Sequence, residues 1–162
     1  MKRLALTALI LALLGSFIYW WWLPTQVLKR HTSQILHTLT LEPGTGRSAR
    51  QLGVYALNAL LASSVQLDTP TLPGANGTFD RSEIESAFSW LCEQAKQSHF
   101  NLEKFHSVTI DGDQADVAFA IEALVELPGS RPVEGHYEVT FRWQLEHDTW
   151  HLTRSNWLAA DR

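Results

Sequence analysis

The sequence predicts an α+β domain behind a membrane-spanning segment: an N-terminal transmembrane helix, then three helices packed on a curved antiparallel sheet of about four strands. Three observations carry this. The 20-residue stretch Leu4–Leu23 holds no charge. Between residues 26 and 95 the apolar residues recur at helical spacing, and after His99 the period changes to two. The last three period-two segments are separated only by short turns, which makes them hairpin neighbours.

The first element is LALTALILALLGSFIYWWWL, which as a helix covers roughly 30 Å, the thickness of a bilayer core. Lys2 and Arg3 precede it and favour a cytoplasmic N-terminus. Tyr19, Trp20, Trp21 and Trp22 stand at the far end, where amphipathic rings settle at the headgroup level. Pro24 closes the span. The alternative, a cleaved signal peptide, has no small-x-small site, because Gly15-Ser16 runs straight into bulky aromatics. Residues 1–24 are therefore expected to anchor the chain, single-pass, in the inner (cytoplasmic) membrane. Residues 25–162 form one extracytoplasmic domain, periplasmic in a bacterium.

Gln26–Leu41 reads as the next helix, with Leu28, Ile35, Leu36 and Leu39 on one face. EPGTGR is a turn, and Ser48 can cap a second helix to about Ser63, with Leu52, Tyr55, Ala56, Ala59 and Leu60 inward. Residues 65–79, with two prolines and two glycines, read as a loop with a short edge strand at Val65–Leu67. Asp80 and Glu83 form an acidic variant of the capping box. Ile84, Ala87, Phe88, Leu91, Cys92 and Ala95 then give the third helix its apolar stripe. Strands follow at Lys104–Ile110, Gln114–Leu127, Val133–Glu146 and Thr149–Leu158.

The segments GTFDRSEIESAF, VTIDGDQADVAFAIEAL and FRWQLEHDTWHLTRSNW resemble, in that order, parts of the nuclear transport factor 2-like superfamily. That superfamily includes SnoaL-like and ketosteroid-isomerase-like domains. The resemblance covers residues 77–158 best. It implies a cystatin-like cone, a sheet curled around helices with a pocket at its open end. Some such domains act on small molecules there; others bind ligands, dimerise through the sheet or serve as interaction modules. The short strand or hairpin usual between the second and third helices is nearly absent from the pattern here.

The formal net charge is −4, with 13 Lys+Arg against 17 Asp+Glu, so no basic excess is available for nucleic acid. The single cysteine, Cys92, excludes an intramolecular disulfide, and its place on the apolar stripe makes it a small buried hydrophobe. The seven histidines show no metal-ligand spacing, and neither a metal nor a cofactor is expected. Asn76-Gly77-Thr78 matches a glycosylation sequon but reads better as a turn. No nucleophile or phosphate-binding motif appears.

A two-residue turn at His147-Asp148 would place Arg154 and Asn156 on the helix-facing side, where with Tyr137 and Tyr55 they could line a ligand pocket. A β-bulge, or a place at the open rim, would instead leave them in solvent. Glu122, Glu126, Glu138, His136 and Asp116 fall on the opposite face, so the inner face of the two long strands lacks an acid–base group. Asp68 is the one remaining candidate base. On the outer face Thr140, Arg142, Gln144, His151, Thr153 and Trp157 have the composition of an interface, and equally of an ordinary wet sheet.

The expected function is a membrane-tethered interaction or scaffold module, non-catalytic rather than enzymatic. It would dock a protein partner or a second copy through the sheet. The alternative is a small-molecule-binding or isomerase/hydrolase-like domain with its pocket in the cone.

Overall fold

The computed structural model describes residues 22–44, 46–69 and 76–160. Residues 4–21 of the predicted span, with Tyr19, Trp20 and Trp21, lie outside them. Trp22 is described and stands exposed just before the first helix. Among the described residues no helix is long and apolar enough to cross a membrane.

Helix α1, Pro24–Leu39, starts on proline, whose fixed φ suits the first helical position and whose missing N–H costs nothing there. Leu28, Thr32, Ile35 and Leu36 are its buried face. Ser98 fastens its end: the hydroxyl donates to the Leu39 carbonyl at 2.6 Å, while Leu41 bridges Ser98 through the backbone.

Helix α2, Arg47–Asn58, is shorter than the predicted segment. It also buries a different face. Val54 and Leu57 are buried, whereas Leu52 and Tyr55 are 69% and 70% exposed. The helix carries two apolar stripes, and the neighbouring helices cover only one. Gly53 packs against both neighbouring helices: a Cβ there would lie 3.4 Å from Thr38 and 3.7 Å from Phe88.

The chain then enters strand β1, Leu61–Asp68, and returns through β2, Gly77–Asp80. Helix α3, Arg81–Gln94, follows, with the capping box of Asp80 and Glu83 in place. The Asp80 N–H donates to the Glu83 carboxylate at 2.8 Å. Strands β3 (Gln97–Asp111), β4 (Gln114–Glu126), β5 (Val133–Glu146) and β6 (Thr149–Ala159) complete the fold.

The sheet has six strands, not about four, in the order β2-β1-β6-β5-β4-β3. The hairpin missing from the sequence pattern is present as β1 and β2. Nor is β1 an edge: it pairs antiparallel with β2 and parallel with β6. It runs on from α2 with almost no break, which hides its start, and β2 is too short to show a period.

The inner face of the sheet carries the core. Val117, Phe119 and Ile121 on β4, with Val139, Phe141 and Trp143 on β5, are almost wholly buried beneath the helices. Across the helical layer, Arg50 donates to the carbonyls of Cys92 and Ala95 at 2.6 and 3.1 Å, satisfying the C-terminal end of α3. Arg50→Leu keeps the apolar stem and removes both bonds. It is expected to cost about 2 kcal/mol in urea unfolding, as hydrogen bonds to charged groups do.

Candidate apolar ligand site

The inner face changes along β4. Val117, Phe119 and Ile121 fill the closed end, and then Ala123 offers only a methyl group. Its register partner on β5 is Gly135, and the Tyr137 ring lies over that glycine, 3.3 Å from where a Cβ would stand. Space opens where the side chains shrink. The result is a cavity of about 470 Å³ between the end of α1, the outer turn of α3 and strands β3–β6. Phe100, Trp157, Val125, Leu91, Leu39 and Trp90 form most of its wall. Trp157 packs edge-on against Phe100 and Tyr137, with centroids 6.0 and 5.8 Å away. Thr69, Ser130, Arg131 and Tyr137 are the lining residues with polar side-chain groups other than the indoles. No carboxylate, imidazole or thiol lines it among the described residues.

Of the four predicted pocket residues, only Tyr137 is there. Tyr55 stands on the outer surface of α2. Arg154 and Asn156 are displaced by a bulge. The predicted turn at His147-Asp148 forms, with both residues at positive φ as a type I′ turn needs, and Trp143 does face Leu152. The next pair, however, is Arg142 with Arg154, which leaves Thr153 as the extra residue. From that point every side chain of β6 changes face. Arg154 and Asn156 turn outward; Ser155 and Trp157 turn inward. Trp157 therefore leaves the predicted interface and becomes a wall of the cavity. The bulge alternative is the one the chain adopts.

Asp68, Asp116, Glu126 and Glu138 are engaged elsewhere. Asp68 accepts two hydrogen bonds from Arg154, at 2.8 and 3.0 Å, and is thus tied up as a candidate base. On the outer face Arg142 grips Asp116 through two bonds of 2.8 and 3.0 Å, which raises the Arg142 pKa. His106 meets Glu138, and His136 meets Glu103, each at 2.8 Å. These last pairs reach from β3 to β5 across β4, where Ala118 and Ala120 are too small to intervene. Thr140 and Gln144 are half-buried on that face, and Thr153 donates to the Arg142 carbonyl. At the sheet margin, hydrogen bonds from Lys96 and Gln97 lower the Glu126 pKa.

Cys92 is buried, and desolvation pushes its thiol pKa up against the opposing pull of Arg50, so little thiolate is available. Asn76, the first residue of the sequon, accepts from the Thr69 hydroxyl at 3.2 Å. Among the described residues no three metal-ligating side chains converge.

His31 sits at the closed end of the cone, its ring 5.8 Å from that of Trp143. Burial lowers its pKa, with Arg30 and His151 adding to the effect. Neither His31 Nδ1 nor His151 Nδ1 has a hydrogen-bond partner among the described residues. The unfolded chain, at the ordinary value of 6.5, takes up this proton before the folded one does. Stability should thus be insensitive to His31 above pH ~6.5 and fall as the pH drops below it. The check is the urea midpoint at pH 7.5 and 5.5, where His31→Leu should show a smaller drop than the parent.

No family model matches the sequence, and no curated protein does. Solved structures do. A nuclear transport factor 2-like protein from Cytophaga hutchinsonii aligns over 85% of this chain and 99% of its own, at 14% identity and a TM-score of 0.64. A protein with a cystatin-like fold from Caulobacter vibrioides covers 85% and 89%, at 10% identity and 0.64. A proposed dehydratase of the nuclear transport factor 2-like family from Streptomyces avermitilis covers 85% and 96%, at 16% identity and 0.62. The chain has the nuclear transport factor 2-like, cystatin-like fold. At these identities the likeness extends to the fold and not to an activity.

Proposed function

We propose that this nuclear transport factor 2-like domain binds an apolar small molecule in the mouth of its cone and holds it without transforming it. The observation that carries this is the cavity wall, which is almost entirely apolar and aromatic. Its volume of about 470 Å³ lies within the ~300–1,000 Å³ of ordinary ligand pockets. Burying an apolar body there releases water from both surfaces. Acid–base chemistry needs a carboxylate or imidazole beside the ligand, and the wall supplies neither among the described residues.

The direct test is to isolate the full-length chain from its native membranes, extract it with solvent and identify what co-purifies. One apolar species near equimolar amounts is the supporting result. The recovered compound should also stabilise emptied protein by about 2.7 kcal/mol at 100 times its Kd. No bound species, together with no thermal shift across a set of apolar compounds, would sink the reading.

The domain's location is part of the proposal. The uncharged stretch 4–23 and its aromatic end favour a single-pass tether with residues 25–162 on the extracytoplasmic side. Resistance to alkaline extraction and protease access from the periplasmic side would support it; release into the soluble fraction would not.

A second reading, docking through the outer sheet face, is favoured by Ala118 and Ala120. With Thr140 they form a small-residue patch, crossed by the His106–Glu138 pair and bordered by Asp116–Arg142, suited to a second copy. Sedimentation of the parent and of Ala120→Arg decides it: a dimer lost in the variant is the supporting outcome, and a monomeric parent excludes self-association.

A further inference from the structure

We propose that the cavity selects an amphiphilic monoanion, a carboxylate on an apolar body, and that Arg131 reads its charge. This deepens the ligand-binding reading above and rests on it.

Arg131 is the one charged side chain that lines the cavity among the described residues. It lies in the exposed connection between β4 and β5, residues 127–132. Gly129, at φ +75°, turns this connection, and the Ser130 N–H donates back to the Leu127 carbonyl at 3.4 Å. The turn brings Ser130 and Arg131 to the same cavity that Leu127 and Val133 line from the strand ends. No carboxylate lines the cavity with it, and no described acidic residue forms an ion pair with it. The other arginines fully described on the sheet, Arg142 and Arg154, are each held by an aspartate.

This arrangement divides the work of recognition. The aromatic wall takes the apolar body, and an ordinary polar head would remain in water. A carboxylate at the mouth instead meets a planar guanidinium, which can bind both oxygens at once. Ser130 and Thr69 line the same cavity and carry no negative charge to repel an anion, their hydroxyl protons being donated to the Leu127 carbonyl and the Asn76 side chain. A cationic head would be repelled by Arg131. The mouth is open to solvent, so the charge effect is moderate and weakens with added salt.

The shared chemistry, carboxylate plus apolar body, can come from an aliphatic chain or from a fused ring. Two probe pairs separate these: octanoate with octan-1-ol, and 2-naphthoate with 2-naphthylmethanol. Each is titrated calorimetrically into the full-length chain in lipid nanodiscs, with empty discs as the blank. The expected result is about tenfold tighter binding of the carboxylate than of its alcohol, in keeping with one charge-assisted contact at an open site. Arg131→Gln should remove that preference and leave the alcohol affinity unchanged. Either pair behaving this way supports the proposal, and the tighter carboxylate identifies the body. Because Arg131 is exposed and away from the core, the variant should retain the parent's unfolding midpoint.

Equal affinity for acid and alcohol in the parent overturns charge selection but leaves the ligand-binding reading standing. So does a preference for the acid that persists in Arg131→Gln. If no probe binds and the chain also carries no native compound, both readings fail together.

Discussion

Phe119→Ala should lower the stability of the domain by about 4 kcal/mol, the middle of the range for aromatic-to-alanine changes in cores. Phe119 has no solvent exposure. Its ring meets Phe141 edge-on with centroids 4.9 Å apart, and Phe105 at 6.1 Å. It stands on β4, which is hydrogen-bonded on both sides, to β3 and to β5. A strand held in this way cannot move inward to fill the hole, so the cavity term is paid nearly in full. Domains of this kind are stable by roughly 5–15 kcal/mol, so the loss is a large share of the total. Urea unfolding of the parent, Phe119→Leu and Phe119→Ala provides the measurement. A loss under about 1.5 kcal/mol for the alanine variant would mean that the site collapses, contrary to the packing described.

Ala123→Phe should abolish apolar-ligand binding, by about 100-fold or more, equivalent to about 2.7 kcal/mol. The position faces the cavity between Phe100 and Gly135, its partners on β3 and β5. The added ring enters existing space, so the usual penalty of overpacking is largely avoided. Unfolding midpoints should stay close to the parent's while titrations with the compound recovered from native membranes go flat. Retained affinity in a folded variant would place the ligand elsewhere on the molecule.

Much of the fold was legible in the sequence because each part had a local signal. The period of 3.6 marked α1 and α3, the Asp80/Glu83 pattern fixed the start of α3, and alternation from Val133 to Glu146 marked β5. The paired segments β1 and β2 lacked such a signal. β1 is sheltered between two strands, and its partner has only four residues. The site was harder to read for a sharper reason. Its make-up depends on the parity of β6, and one extra residue at Thr153 reverses that parity with no glycine or proline to announce it. Trp157 and Arg154 changed places in function as a result. Arg131 lay in a turn whose only local signal was its glycine and prolines. That it borders the cavity follows from the return of the β4–β5 connection over the sheet's end, a tertiary fact without a local period.

The place of β6 has a consequence for how the chain is made. Among the described residues it is the last strand in chain order, yet it stands between β1 and β5, hydrogen-bonded to both, and joins the β1–β2 hairpin to the meander β3–β5. During synthesis those two pieces exist before the strand that joins them. Until it emerges from the ribosome, β1 and β5 each present an unpaired edge, and such edges invite pairing with other nascent chains. Closure then requires β6 to slot between them over a sequence separation of roughly 90 residues on the β1 side, for example Leu61 to Leu152, a slow kind of contact to form. The domain is thus expected to commit to its native sheet late, in one step, when its final strand arrives.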